Sequence, residues 1–240
     1  MDIKEERALG LHLDKHWYYV AKGRAMMKFL DKIKSTELLD VGAGSGIFAR
    51  QLTRAGFCEK VLCVDPNYAN EKVEACEGIK IEYKKNVGGV KCNLILMMDV
   101  LEHVTDDVQL LKKYTENLSS GDHMFITVPA FNFLWSGHDV YLEHKRRYTI
   151  KSVENAVRAA GMIPVKSRYF FGVLFPVVAV IRLFGRALLK IGKKEARSDL
   201  KPCPVLLNTF LVLLHDFERI TLFRINKIFG LSVFCLCRKI

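Results

Sequence analysis

Residues 38–46 read LLDVGAGSG: an apolar run that ends in an acid and opens into three glycines at alternate positions. A strand followed by such a turn narrows the possible folds sharply. Glycines remove the Cβ atoms that would keep a ligand off the backbone, so N–H groups at the head of the next helix can face it. A dinucleotide fingerprint has the spacing GxGxxG, in which the third glycine lets helix and strand pack closely. Here Gly42, Gly44 and Gly46 give GxGxG, and Ile47 stands where that third glycine would be. About twenty residues on, where such sites place an acid, Asp65 ends the run VLCVD and offers a carboxylate to a ribose.

The rest of the chain alternates short apolar runs with helical patterns, the signature of a parallel α/β sheet. Strands are expected at Glu37–Val41, Lys60–Val64, Lys80–Tyr83, Asn93–Met98, His123–Val128 and Ile163–Tyr169, and LSVFCLCRK alternates like a last one. Helices are expected at IFARQLTRAG, DDVQLLKKYTENL and IKSVENAVRAAG, the last capped by Thr149. The segments YFFGVLFPVVAVIRLFGRALLKIG and PVLLNTFLVLLHDFERITLF are also helical but far more apolar. Neither has the roughly 18–20 uninterrupted apolar residues of a spanning helix. Pro176 and Arg182 break the first; Asn208, Thr209 and then HDFER break the second. The fold class is therefore α/β: a seven-stranded, mostly parallel sheet with helices on both faces and an apolar helical insertion before the last strand. The expected division is an N-terminal helical lid at 1–35, a core at 36–171, the insertion at 172–229 and the last core strand at 230–240.

Charge adds a partner class. The chain carries a formal +11, and nine Lys or Arg against two acids lie between Lys166 and Lys201. That balance suits an anionic partner, either nucleic acid or the cytoplasmic membrane face. MDIKEERALG has no apolar run after a basic start, so no signal peptide is expected. The seven cysteines form no CxxC pair, which suits a reduced cytosolic chain.

LLDVGAGSG, VDPN and MMDVLEHVTDD resemble, in order, the ligand motifs of class I S-adenosylmethionine-dependent methyltransferases, which have a Rossmann-like fold; the likeness covers about residues 36–170. It implies S-adenosylmethionine as cofactor. The turn from Asp40 through Gly42, Ala43, Gly44 and Gly46 would face its methionine part, and Asp65 would hold the ribose. Asn86 is the nearest candidate for adenine, where the family often has an acid, and Asp99 and Val100 would lie along the adenosyl group. KHWYYVAKGRAMM, HDVYLEHKRRYT and GLSVFCLCRK together resemble a bacterial subgroup linked with surface polysaccharide or lipid-linked glycan synthesis.

A hydroxyl acceptor must lose its proton to a nearby His or carboxylate. His103, His138, Asp139 and His144 all follow the ends of strands four and five, where open α/β sheets bind ligands. His144 is the first candidate for general base, with His138–Asp139 as alternative or orienting pair; His103 could equally cap or pack a helix. With no cysteine or acid cluster to complete a His-Asp-x4-His set, no metal is expected. Arg146 and Arg147, beside Lys145 and Tyr148, suggest a grip on an anionic acceptor, or a solvated basic turn. Trp17 and Tyr18 could fold over the site or pack in the core.

By the family's topology, the insertion emerges on the cofactor side. Its apolar helices then suit a lipid-linked or amphipathic acceptor, and Arg182, Arg186, Lys190, Lys193, Lys194, Arg197 and Lys201 suit anionic headgroups. The expectation is a cytoplasmic O-methyltransferase held peripherally at the inner membrane face. An RNA methyltransferase is the alternative enzyme, without an NPPY-like motif, and a membrane-associated scaffold without catalysis is the non-enzymatic one.

Overall fold

The computed structural model describes residues 10–33, 35–190 and 198–240. Residues 1–9, and Lys193, Lys194 and Arg197 of the basic stretch, lie outside them. An eight-stranded sheet forms the centre, with strands β1 (Glu37–Val41), β2 (Lys60–Val64), β3 (Lys72–Cys76), β4 (Ile79–Lys84), β5 (Leu94–Met98), β6 (His123–Pro129), β7 (Met162–Phe170) and β8 (Ser232–Lys239). Their order is β3-β4-β2-β1-β5-β6-β8-β7. β4, β2, β1, β5 and β6 run parallel, while β8 lies antiparallel to both β6 and β7.

The described α-helices are α1 (Trp17–Phe29), α2 (Ile47–Arg54), α3 (Asp107–Thr115), α4 (Gly137–Tyr141), α5 (Ile150–Ala159), α6 (Phe175–Lys190) and α7 (Val205–Ile220). β5 shows why the central strands read as unbroken apolar runs. Leu94, Leu96 and Met98 join the core under α1 and α2, whereas Ile95 and Met97 join the core under α3 and α5. A parallel strand covered on both faces needs apolar residues at every position. The two cores thus sandwich the sheet.

One strand exceeds the seven expected. β3 pairs antiparallel with β4 through the two-residue turn Glu77–Gly78, whose φ angles are 49° and 77°. Such a turn matches the strand twist, but KVEAC is an edge strand whose alternating Val73 and Ala75 are exposed and only Cys76 is buried, so its pattern marks no core face.

α1 packs as part of the core, with Tyr19, Ala25, Met26 and Leu30 buried beside Phe48 and Leu52 of α2. It is also tied to the insertion. The Trp17 N–H donates to Asn208 Oδ1 (2.7 Å), Asn208 Nδ2 donates to the Lys15 carbonyl (2.9 Å), and Arg24 pairs with Asp216. The insertion leaves the sheet after β7, at the end where the parallel strands finish, and returns into β8. β1 has β2 on one side and β5 on the other, so the chain's direction of winding reverses there; the crevice beyond that switch point is where such sheets bind ligands.

Candidate active site

The glycine turn begins where β1 ends. Gly42, Gly44 and Gly46 have φ of 66°, 52° and 75°, a region that disfavours any side chain. At Gly42 a Cβ would also stand 2.7 Å from Val100 Cγ2, so only glycine lets the turn close against the segment following β5. Asp65, buried at the end of β2, braces the turn. Its Oδ2 accepts the Gly44 N–H at 3.1 Å, and its Oδ1 accepts the Asn67 N–H at 2.9 Å.

Among the described residues, three buried oxygens here have no close hydrogen-bond partner: both carboxylate oxygens of Asp40, in β1, and Ser45 Oγ in the turn. Burial, reinforced by the charge of Asp65, pushes the Asp40 carboxyl up to about 7. Unpaired buried oxygens are costly unless something completes them. An acid poised to ionise beside a glycine cradle fits the methionine end of S-adenosylmethionine, whose sulfonium and ammonium are both cationic. Asp40, Ser45 and the backbone of Gly42–Gly46 would hold that end; Asp65 and Val100 stand on either side. Asn86 is exposed in the loop after β4, outside this cluster.

Asp99 closes β5 in a left-handed conformation, φ 55°. Thr127 Oγ1 donates to its Oδ1 (3.1 Å), and Lys22 Nζ pairs with its Oδ2. Burial acts to raise this carboxyl, but the Lys22 ammonium overrides it and holds it below the usual range. Lys22 is fully buried, and Tyr18, one turn earlier on α1, accepts from its Nζ at 3.1 Å. Lys22 was not among the residues expected from sequence. The signal for it was its i, i+4 spacing from Tyr18 on a helix whose neighbouring positions are core.

Beyond Asp99 lies a cavity of about 340 Å³. One end is polar, with Asp99, Glu102, His103, His138 and His144; the wall is apolar, with Trp17, Phe171, Leu174, Val178 and Ile181. His144 Nδ1 meets Asp139 Oδ1 at 2.9 Å. Asp139 is itself fully buried, accepting Arg147 Nε (2.7 Å), Arg147 Nη2 (3.0 Å) and the Ser136 N–H (2.8 Å). Despite its burial, the His144 and Arg147 contacts hold it well below the usual carboxylate range. A carboxylate on Nδ1 fixes the imidazole with its proton there, leaving Nε2 as the basic nitrogen.

His138 sits differently. Its Nδ1 accepts the Asp199 N–H at 3.0 Å, and burial beside Arg182 lowers it to about 4, so it is neutral at ordinary pH. The His103 ring lies edge-on to His144 at 4.8 Å. Glu102, in the 3-10 turn Leu101–His103, is fully buried with neither oxygen partnered among the described residues, and burial together with the charge of Asp99 raises its carboxyl well above the usual range. Ligand atoms of Glu102, His103 and His144 lie within 4.8 Å of one another, an N, N, O set suited to a divalent cation. The sequence expectation of no metal rested on the lack of an acid to complete a histidine set. Glu102, three residues past Asp99, brings that acid in.

The basic run after His144 turns back into the protein. Arg147 is committed to Asp139 and to the Ala130 carbonyl (3.0 Å), forming part of the cavity wall. Arg146 donates to the Val104 and Thr105 carbonyls, and Tyr148 OH donates to Asp107 Oδ2 (2.7 Å) and the Leu101 carbonyl (3.1 Å). These residues lace the segment 101–107 to α4 and thereby fix the spacing of His103 and His144. Trp17 stacks on His215 of α7, 5.5 Å between centroids and 17° between planes, and meets Phe171 edge-on.

The sequence matches the methyltransferase domain family over residues 15–166. It is 29% identical over 149 residues to a ubiquinone biosynthesis O-methyltransferase of Chelativorans sp. (strain BNC1), covering 52% of this chain and 58% of that protein. A namesake from Parvibaculum lavamentivorans is 28% identical over 162 residues, 58% of this chain and 62% of its own. The chain thus aligns with about six tenths of each relative's length. Among solved structures, an S-adenosylmethionine-dependent methyltransferase of Mesorhizobium loti superposes with a TM-score of 0.56 at 14% identity, over 91% of this chain and 98% of its own. One from Archaeoglobus fulgidus gives 0.54 at 15% identity, over 98% of each. At these identities the structural likeness speaks for the fold. With the family match covering more than half its length, the chain belongs to the methyltransferase domain family and has the class I S-adenosylmethionine-dependent methyltransferase fold.

Proposed function

We propose that this protein is an S-adenosylmethionine-dependent O-methyltransferase acting on a hydroxyl of an amphipathic, lipid-linked acceptor. The observation that carries this is His144, in the wall of a mainly apolar cavity beside Asp99 and backed by buried Asp139. When bound, S-adenosylmethionine would supply an electrophilic methyl group, its S–CH3 bond breaking to leave a neutral thioether. Asp139 keeps the His144 proton on Nδ1, and His144 Nε2 takes the proton that the acceptor hydroxyl loses as its oxygen is alkylated. Trp17, Phe171 and the α6 side chains keep water from that oxygen and hold the acceptor's apolar body, the positioning from which much of the acceleration derives. The O-methyltransferase name of the aligned relatives favours oxygen as the receiving atom.

The test is transfer of labelled methyl from S-adenosylmethionine to total lipid, polysaccharide and RNA fractions, with mass spectrometry of whichever gains label. Label in the lipid fraction, lost in His144→Gln, is the expected result. Label in RNA, with salt-dependent RNA binding, would replace this reading with the nucleic-acid one. Label that survives His144→Gln points to a carboxylate or phosphate oxygen, which needs no base.

Glu102, His103 and His144 support a second reading of the same chemistry. A divalent cation on this set would lower the pKa of a bound acceptor hydroxyl, with His144 a ligand instead of a base. Loss of transfer on chelation, with recovery on adding magnesium, manganese or zinc, selects it; indifference to chelator selects the His144 base.

A further inference from the structure

Helix α7 carries Leu206, Phe210, Leu213, Phe217 and Ile220 at alternating spacings of four and three, and all are 58–87% exposed. That spacing forms one stripe along a helix. The opposite side of α7, with buried His215 and Glu218, faces α1 and Phe171. The stripe is therefore a second apolar face left over after the helix has packed. It continues into 222–229, where exposed Leu222, Ile225, Ile228 and Phe229 interleave with exposed Arg224 and Lys227. Phe229 packs on Phe175 at 5.4 Å, carrying the patch onto α6, whose Val177, Val180, Ile181 and Phe184 are also exposed. Ile181 is exposed on this surface and at the same time lines the cavity. The patch and the cavity mouth meet at that residue.

Monomeric proteins rarely leave apolar patches of this extent uncovered. Its charge selects the occupant. From residue 200 to 240 the acids are Asp216 and Glu218. Asp216 is paired with Arg24 and Arg219, and Glu218 is buried on His215 Nδ1 at 2.9 Å. Exposed Lys201, Arg224 and Lys227 accompany the apolar residues in this stretch, and Asp199, just before it, is paired with Arg182. Among the described residues no helix is long and apolar enough to cross a membrane. Apolar side chains rimmed by cations on such helices suit the interfacial zone of an anionic bilayer.

We propose that α6, α7 and the 222–229 loop dock on an anionic membrane surface, and that the acceptor enters the cavity from the bilayer past Ile181. The proposal rests on the cavity being an acceptor site and adds the source and route of the acceptor. The test is flotation of the full chain with vesicles of phosphatidylcholine, with and without phosphatidylglycerol. The protein floats with the anionic vesicles, less so in high salt, and Phe210→Glu with Phe217→Glu lowers binding at least about tenfold. Phe210 and Phe217 lie outside the cavity, so the double variant keeps its melting temperature and its cofactor affinity. A Phe210→Trp variant, excited in vesicles of brominated lipid, has its added emission quenched.

Equal flotation of wild type and double variant overturns the proposal, as does no flotation of wild type. A lipid-free wild-type dimer in sedimentation velocity, monomeric in the double variant and indifferent to vesicles, overturns it in favour of self-association through the stripe. Transfer to a detergent-dispersed lipid extract separates the two readings. Flotation without transfer counts against the acceptor reading alone, and transfer without flotation counts against the docking face alone.

Discussion

Among the carboxyl groups withdrawn from water at the crevice, half-buried Asp99 and buried Asp139 and Asp40 are each solved differently. Asp99 has a cation, Asp139 has a guanidinium and an imidazole, and Asp40 has neither. Removing Lys22 from the first leaves a half-buried charge held only by the Thr127 and Tyr18 hydroxyls, which costs about 1–3 kcal/mol. Lys22→Met is therefore expected to lose that much in urea unfolding, and adding Asp99→Asn is expected to restore part of it. Asp40 sets a pH dependence. Its folded value of about 7 lies above the ordinary 3.8, so the cofactor-free protein loses proton-linked stability as pH rises from about 4 through about 7. A cationic ligand favours the ionised form. Calorimetric affinity for S-adenosylmethionine should fall by up to about tenfold for each pH unit below about 7, and Asp40→Asn should flatten that slope. His144→Gln should lower kcat by about 10²–10⁴ with cofactor affinity unchanged. Of these residues, Asp40, Asp65, Asp99, Asp139 and His144 were legible because strand ends and loop motifs mark them. Lys22 and Glu102 were not: a lysine on a helix reads as solvated until its partner, 77 residues on, is known.

At the scale of elements, the central strands and their helices were legible because burial on both faces writes itself into consecutive apolar residues. β3 was not, because an edge strand answers to only one neighbour and tolerates KVE on its surface. The glycine turn was the most legible element of all, and its strain makes it testable. An alanine at 42 must adopt φ near 66°, at a cost of about 1–2 kcal/mol, and must also displace Val100. Gly42→Ala is expected to weaken cofactor binding at least about tenfold in a thermal-shift titration, with the sheet otherwise intact.

For the whole molecule, the reversal of winding at β1 and the antiparallel return of β8 decide which residues can share a site. Residues 17–22, 99–103, 138–147 and 171–182 meet at one crevice although no local pattern couples them. Sequence placed the insertion on that side only through the family's topology, and it gave no indication that α1 and α7 would interlock. Asn208 is the joint between them. Asn208→Ala should raise amide exchange in α1 and α7 together, while β5 and β6 remain protected; exchange raised in α7 alone would show the two helices to be independent.

The hairpin formed by β7 and β8 also bears on how this protein could be altered. The residues that would hold the methyl donor lie from β1 to the turn after β5, whereas much of the cavity's apolar wall hangs from a single opening in the last hairpin, between Phe171 and Leu231. The strands on either side of that opening pair with each other along their length, apart from a bulge at Val165 far from the opening. A different segment could be spliced there without breaking a rung of the ladder, so under the proposed function acceptor choice would be a replaceable cartridge on a fixed donor chassis. The anchoring contacts to Trp17 and Lys15 are the terms any replacement would have to meet.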